Sequence, residues 1–214
     1  FSYFRSIART SFKELSFAQI LDPISNRTFN GGLFKLDDWD GELVATRINN
    51  FDIRWEKFLD GADIISFSAF FKSFDAPIEL VRIPTALRDF QPRNVGNGTL
   101  IGAEFELRKN LAIFSESLKN ISFSGNFTYT YSRIDMTDAE YFARKGTEKA
   151  GQTIERTRAM AGQAPFLVNA GFSYDKPEKG ISAGVFYNVK GRTLEIVGGN
   201  LAPDIYTEPF HSLN

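Results

Sequence analysis

Apolar and polar side chains alternate with a period of two in six segments of this chain. In NNFDIRWEKF, Phe51, Ile53 and Trp55 oppose Asp52, Arg54 and Glu56. In IISFSAFFKSF, Ile65, Phe67, Ala69 and Phe71 oppose Ser66, Ser68, Phe70 and Lys72. LIGAEFELRK sets Ile101, Ala103, Phe105 and Leu107 against Gly102, Glu104, Glu106 and Arg108. NISFSGNFTYTYS sets Ile121, Phe123, Phe127, Tyr129 and Tyr131 against serines, threonines and Asn126. PFLVNAGFSYD and ISAGVFYNVKG continue the pattern, with Phe166 to Tyr174 and Ile181 to Val189 on the apolar parity. Successive side chains of a strand point to opposite faces, so each segment predicts a β-strand with one apolar and one polar face. FSYFRSIAR and the residues from Phe210 onward predict two more.

The connections alternate in length. LDGAD, DKPEKG and AIFSESLK are short and rich in turn residues. The stretches 10–47, 75–97, 135–164 and 191–209 are long. Compact soluble domains have mostly short connections. Short turns at one end and long loops at the other are the layout of an outer-membrane barrel. No run approaches the ~18 apolar residues of a membrane helix, which leaves a strand-built span untouched.

Two solvents fit a two-faced strand, and three features select lipid for the apolar side. The opposite face is Ser, Thr, Asn and Gly in several strands, where soluble exteriors favour Lys and Glu. Aromatics stand near strand ends, as at Trp55, Phe58, Tyr129, Tyr131 and Tyr174, where interfacial girdles require them. The loop asymmetry is the third. The register is correspondingly strict: reversing LIGAEFELRK would place Glu104, Glu106 and Arg108 in hydrocarbon, and Arg alone costs about 2–4 kcal/mol at the midplane.

The fold expected is therefore all-β: an antiparallel up-and-down transmembrane β-barrel, partial, with about 7–8 strands of a larger barrel, long extracellular loops and short periplasmic turns. The chain opens at Phe1 inside a strand-like stretch and stops at HSLN as another begins. Residues 1–214 are thus expected to be one partial barrel domain of a longer chain.

Composition adds limits. The formal net charge is −1, which gives a nucleic acid nothing to bind. With no cysteine and one histidine, His211, neither a Cys nor a His cluster is available for a metal. No Ser/His/Asp grouping lies on the strands, so no enzyme activity and no cofactor are expected. LDDWDGE carries acids at 37, 38, 40 and 42, but not at the spacing of a calcium loop, and reads as an acidic loop tip. VGNG and VGGN read as turns rather than phosphate loops.

The one constellation left is inward-facing charge: Asp52, Arg54 and Glu56 on one strand, Glu104, Glu106 and Arg108 on another, and Lys190 on a third. Two readings stay open. The charges hold a plug or line a ligand path, or they pair across strands and fix the register. The loop stretches 45–49, 82–93 and 141–158 are expected to form the mouth.

Five segments in order carry a family resemblance: ARTSFKEL, NNFDIRWEKF, SFSAFFKSFDAPIE, GTLIGAEFELRKNL and AGQAPFLVNAGFSY. Together they resemble the C-terminal part of the barrel of a TonB-dependent outer-membrane receptor of the Bacteroidetes type. Thr10 stands where the family usually has Pro. The resemblance implies a barrel of about 22 strands closed by an N-terminal plug domain of the same full-length chain. It also implies active uptake of a small-molecule or glycan ligand (siderophore-iron, cobalamin or glycan) driven through TonB, with outer-membrane lipid around the barrel. The plug and the TonB-binding segment are not among these residues. A small closed structural or adhesive barrel without transport is the alternative.

Overall fold

The computed structural model describes residues 1–24, 26–36, 39–59, 61–83, 88–199 and 203–214. Eight strands form an antiparallel meander: β1 (Ser2–Ala8), β4 (Thr46–Phe58), β5 (Ile64–Asp75), β8 (Gly98–Asn110), β9 (Ile121–Asp135), β11 (Phe166–Lys176), β12 (Ile181–Lys190) and β15 (Phe210–Leu213). Each pairs with the next, in the order just given. The intervening numbers belong to the long loops: β2 (Gln19–Asp22), β3 (Arg27–Asn30), β6 (Ile78–Arg82), β7 (Asp89–Asn94), helix α1 (Asp138–Lys145), β10 (Thr157–Arg158), β13 (Thr193–Ile196) and β14 (Ile205–Thr207). β1 and β15 are opposite edges and do not pair, so the sheet is an open portion of a barrel. An open edge cannot stand in hydrocarbon, so further strands must complete the wall.

The register places the expected faces in continuous rows. Phe51, Phe71, Ile101 and Tyr131 face one another across four strands, as do Trp55, Phe67, Phe105 and Phe127. These side chains are uncovered: Trp55 is 56% and Phe67 50% exposed. Rows of bare aromatic rings are untenable in water and correct in lipid. On β8 the face runs from Thr99 to Lys109, ~33 Å along the strand and about 25 Å vertically at a ~40° tilt, the height of a bilayer's apolar band.

The polar face also carries apolar side chains, and two of them, Phe70 and Phe186, have a clear reason. Phe70 pairs with Gly102, and its ring covers that glycine. Phe186 lies over both Gly171, its cross-strand partner, and Gly184. A Cβ at Gly171 or Gly102 would fall inside a ring. The glycines make room, and the rings replace the missing side chains on the wall.

A conventional core exists only above the wall. Phe90, Ile134, Gln91, Val197 and Thr193 are the largest fully buried side chains, and all lie in the long loops or at the loop end of β9. There β2, β3, β7 and β6 form a second sheet in that order, with β3 and β7 parallel. Val197 bonds Leu80 and Arg82 of β6 through its backbone at 3.0 Å each, joining the last long loop to this sheet. Buried Gln91 donates to the carbonyls of Gly31 and Phe34 at 3.0 and 2.6 Å and accepts from Arg93 Nε at 3.0 Å. The long loops are thus a folded cap. One expectation needs correction here: of the stretch 45–49, residues from Thr46 onward are strand β4 and not loop.

Candidate functional site

The polar face of the wall gathers the predicted charges because three strands are in step. Arg54 faces Ser68, which faces Glu104, which faces Thr128, in one row; Glu56, Ser66, Glu106 and Asn126 form the next. Small serines on β5 leave a gap that the longer side chains of β4 and β8 bridge. Arg54 contacts Glu56 on its own strand and reaches Glu106 across the gap at 3.4 Å. Arg54, Glu104, Glu106 and Asn126 border a cavity of ≈ 80 Å³.

Asp52, Glu104, Arg108 and Lys190 do not join this pair. Asp52 accepts the Ser2 hydroxyl at 3.5 Å. Among the described residues Glu104, Arg108 and Lys190 form no ion pair. Lys190 shares the row of Glu104 but stands three strands away. The sequence-predicted set is therefore a joined trio, Arg54, Glu56 and Glu106, and four side chains left to the wet side.

Beside the trio lies a polar ladder that the sequence reading passed over. Asn126 accepts from Asn169 Nδ2 at 2.6 Å, and Asn169 in turn accepts from Asn188. These three amides sit directly opposite one another on β9, β11 and β12. With Arg108 and Phe186 they line a groove of ≈ 290 Å³. The signal was available: each Asn occupies the polar parity of its strand.

The cap contains the strongest electrostatic cluster. Arg158 Nη1 lies 2.7 Å from Glu79 Oε2, and its Nε donates to Glu140 Oε1 at 2.6 Å. Arg144 bonds Glu140 at 3.2 Å and Asp204 at 2.8 Å. The side chains of Arg158 and Glu79 are 6% and 3% exposed. The chain of contacts ties together three loops, those between β5 and β8, β9 and β11, and β12 and β15. Helix α1 supplies its centre: Thr137 Oγ1 accepts the Glu140 N–H as N-cap, and Glu140 and Arg144 are one turn apart.

Burial shapes these charges unequally. It pushes the Glu79 carboxyl above its ordinary value, and Arg158 and the Ala161 N–H only partly offset that. Burial also acts to raise Asp204, but the Arg144 guanidinium and the Gly198 N–H outweigh it and hold the group below its ordinary value. Arg158 is weakened by burial yet held above its usual range by Glu140 and Glu79.

Next to this cluster, a cavity of ≈ 250 Å³ opens between the ARTSFKEL segment and the cap sheet, lined by Lys13, Ile20, Phe29, Ile78, Leu80 and Pro92. Of the acidic tip LDDWDGE, Asp37 and Asp38 lie outside the described residues, and Asp40 Oδ1 accepts the Glu42 N–H at 3.0 Å. His211 faces the lipid side, with its Nδ1 2.7 Å from the Tyr187 hydroxyl.

Compared with known proteins, residues 1–214 in full match the family model described as TonB dependent receptor-like, beta-barrel. No curated protein matches the chain.

Proposed function

The chain belongs to the TonB-dependent receptor-like β-barrel family, and from that premise we propose that it is one wall and part of the mouth of a receptor that imports a scarce ligand across the outer membrane. The family is one of outer-membrane transporters of Gram-negative bacteria. The ligand class is a siderophore-iron complex, cobalamin or a glycan. The plug of the full-length protein packs against the polar face, and TonB supplies the energy through that plug.

One observation carries the reading: among the described residues Glu104, Arg108 and Lys190 on the polar face form no ion pair, although Arg54 is paired with Glu56 and Glu106. A structural network would pair Glu104, Arg108 and Lys190 as it pairs Arg54, because an idle charge adds nothing to register. These three, with the asparagine ladder, form the plug- or ligand-facing strip. Arg54, Glu56 and Glu106 fix the strands. Asp52 stands at the wall's margin. Ligand is met first in the cap cavity around Lys13 and Phe29, whose mixed apolar and charged lining suits a small molecule.

The test uses the full-length receptor in its own cells. Deletion of its gene is followed by uptake assays with radiolabelled ferric siderophore, cyanocobalamin and an oligosaccharide panel. Loss of one of these, restored by the wild type but not by a Glu104→Gln/Arg108→Gln variant present at normal outer-membrane level, is the expected result. Full restoration by that variant removes the strip from the path. No loss for any probe removes the receptor reading.

A further inference from the structure

Three hairpins close the short-turn end of the wall, and each has the same lipid-side chemistry. The strands descending to that end, β4, β8 and β11, finish their outward parity at Lys57, Lys109 and Lys176. Their partners across the hairpin are Ile65, Phe123 and Ile181. In tilted strands a level line moves by about one residue per strand, so the stepped register brings Lys57 and Lys109 to one height, with Lys176 about two residues further toward the turn end. Alternate strands place them ~10 Å apart along the rim.

The opposite end differs. There two outward cations stand beside carboxylates, Arg47 with Asp75 at 3.9 Å and Arg133 with Asp135 at 2.7 Å. Of the three outward lysines at the short-turn end, Lys109 is engaged, by Asp63 at 2.6 Å. Lys57 and Lys176 form no ion pair among the described residues. Beyond the band, Ile113 and Phe114 of the β8–β9 turn are exposed apolar side chains.

We propose that this rim is a docking surface for anionic phospholipid of the periplasmic leaflet, with Lys57 and Lys176 binding headgroup phosphates. A lysine stem lies along the apolar face while its ammonium reaches the headgroups, and the phosphates supply a counter-charge. Ile65 and Ile181 beside the lysines seat the acyl chains. Ile113 and Phe114 enter the same interfacial layer, which removes them from water. The inference needs the barrel but not the transport activity.

Trp55 provides the probe, being on the same face two residues from Lys57. The full-length receptor is reconstituted in bilayers containing a small fraction of brominated phosphatidylglycerol or, separately, brominated phosphatidylcholine. The Trp55 signal is the difference between wild type and Trp55→Phe. Stronger quenching by the anionic lipid is expected, with its relative affinity falling about fivefold for Lys57→Gln at Trp55 and, because Lys176 lies ~20 Å along the rim, about fivefold for Lys176→Gln at a Tyr174→Trp probe on its own strand. Lys119→Gln should leave it unchanged, because Lys119 is paired with Glu116 at 3.3 Å in the turn. Heat-modifiability on gels establishes that each variant is folded. Equal quenching by both lipids in the wild type, or an undiminished preference in the Lys57→Gln/Lys176→Gln double variant, overturns the proposal. Uptake assays play no part in it, so its failure is distinct from failure of the receptor reading.

Discussion

The wall and the cap are built from one chain but obey opposite burial rules. On the wall, the side chains richest in apolar area are the bare ones, Trp55, Phe67, Phe105 and Phe127, and the polar groups point inward. In the cap, Phe90, Ile134 and Val197 are enclosed, and buried polar groups such as Gln91 and Glu79 are held by partners beside them. The difference teaches where stability comes from in each. The wall is held by continuous backbone ladders and by the cost of moving polar groups into lipid. The cap is held by an ordinary small core and by a dry ion-pair chain. Charges differ accordingly: Arg54 and Glu106 are about half or more than a third exposed and screened, whereas Arg158 and Glu79 are not.

That contrast is broken most forcefully at Arg158. Replacing it by Met leaves Glu79 buried without a cation, while Arg144 still serves Glu140. Breaking such a buried pair costs about 3–5 kcal/mol, and here the loss falls on the cap alone. Limited proteolysis of intact cells should cut the loops between β5 and β8 and between β9 and β11, with the receptor's heat-modifiability unchanged. A barrel that fails to assemble would show that wall and cap are not separable.

The wall is probed by adjacent residues. Phe105→Arg puts a cation on the lipid side, at a cost of about 2–4 kcal/mol near the midplane. Glu104→Arg puts the same group one residue away on the wet side. The first should deplete folded receptor from the outer membrane and the second should not; equal depletion would contradict the assignment of faces.

What the sequence disclosed follows the same division. The long strands of the wall were legible because a one-residue slip would reverse every side chain from Phe51 to Trp55, or from Ile121 to Tyr131, so period two had to be kept. The inward set Asp52 to Glu56 and Glu104 to Arg108 came with it. The cap strands were not legible. They are two to six residues long, and several are buried on both faces, as the Phe90–Gln91 step of β7 is. β3 and β7 pair in parallel across some sixty residues of chain, as at Phe29 and Phe90. The partnership of Glu79 with Arg158 is equally remote in sequence and leaves no periodic trace. Helix α1 also went unread within the long stretch 135–164, although the Thr137–Glu140 cap spacing and the Glu140–Arg144 turn offered a signal.

A gentler perturbation tests the wall's glycine–aromatic joints. Gly171→Ala places a methyl where the Phe186 ring lies, forcing the ring off the wall at roughly 1–3 kcal/mol. Adding Phe186→Leu should recover part of the loss, which a double-mutant cycle on the unfolding midpoint would measure. Simple additivity would mean that ring and glycine are neighbours without coupling.

The smallest effect separates two acids in the same cap. Glu79 has a folded-state pKa above its ordinary 4.5, so its protonated form is favoured by folding. Its ionised form costs stability at neutral pH, and that cost is relieved as pH falls through the raised value. Asp204 lies below its ordinary 3.8, so its contribution is complete above 3.8 and is lost as pH falls through the lowered value. Mild acid therefore tightens the cap before strong acid loosens it. Hydrogen exchange in the cap amides should slow slightly between neutral pH and about 4.5 after correction for intrinsic rates. Glu79→Gln keeps an acceptor for the Ala161 N–H but removes the titrating charge, so it should abolish the slowing and alter neutral-pH stability by less than about 1 kcal/mol. Asp204→Asn should keep the slowing while weakening the Arg144 clamp at neutral pH. A cap whose protection only declines from neutral pH downward would mean that the Arg158 charge, not burial, governs Glu79.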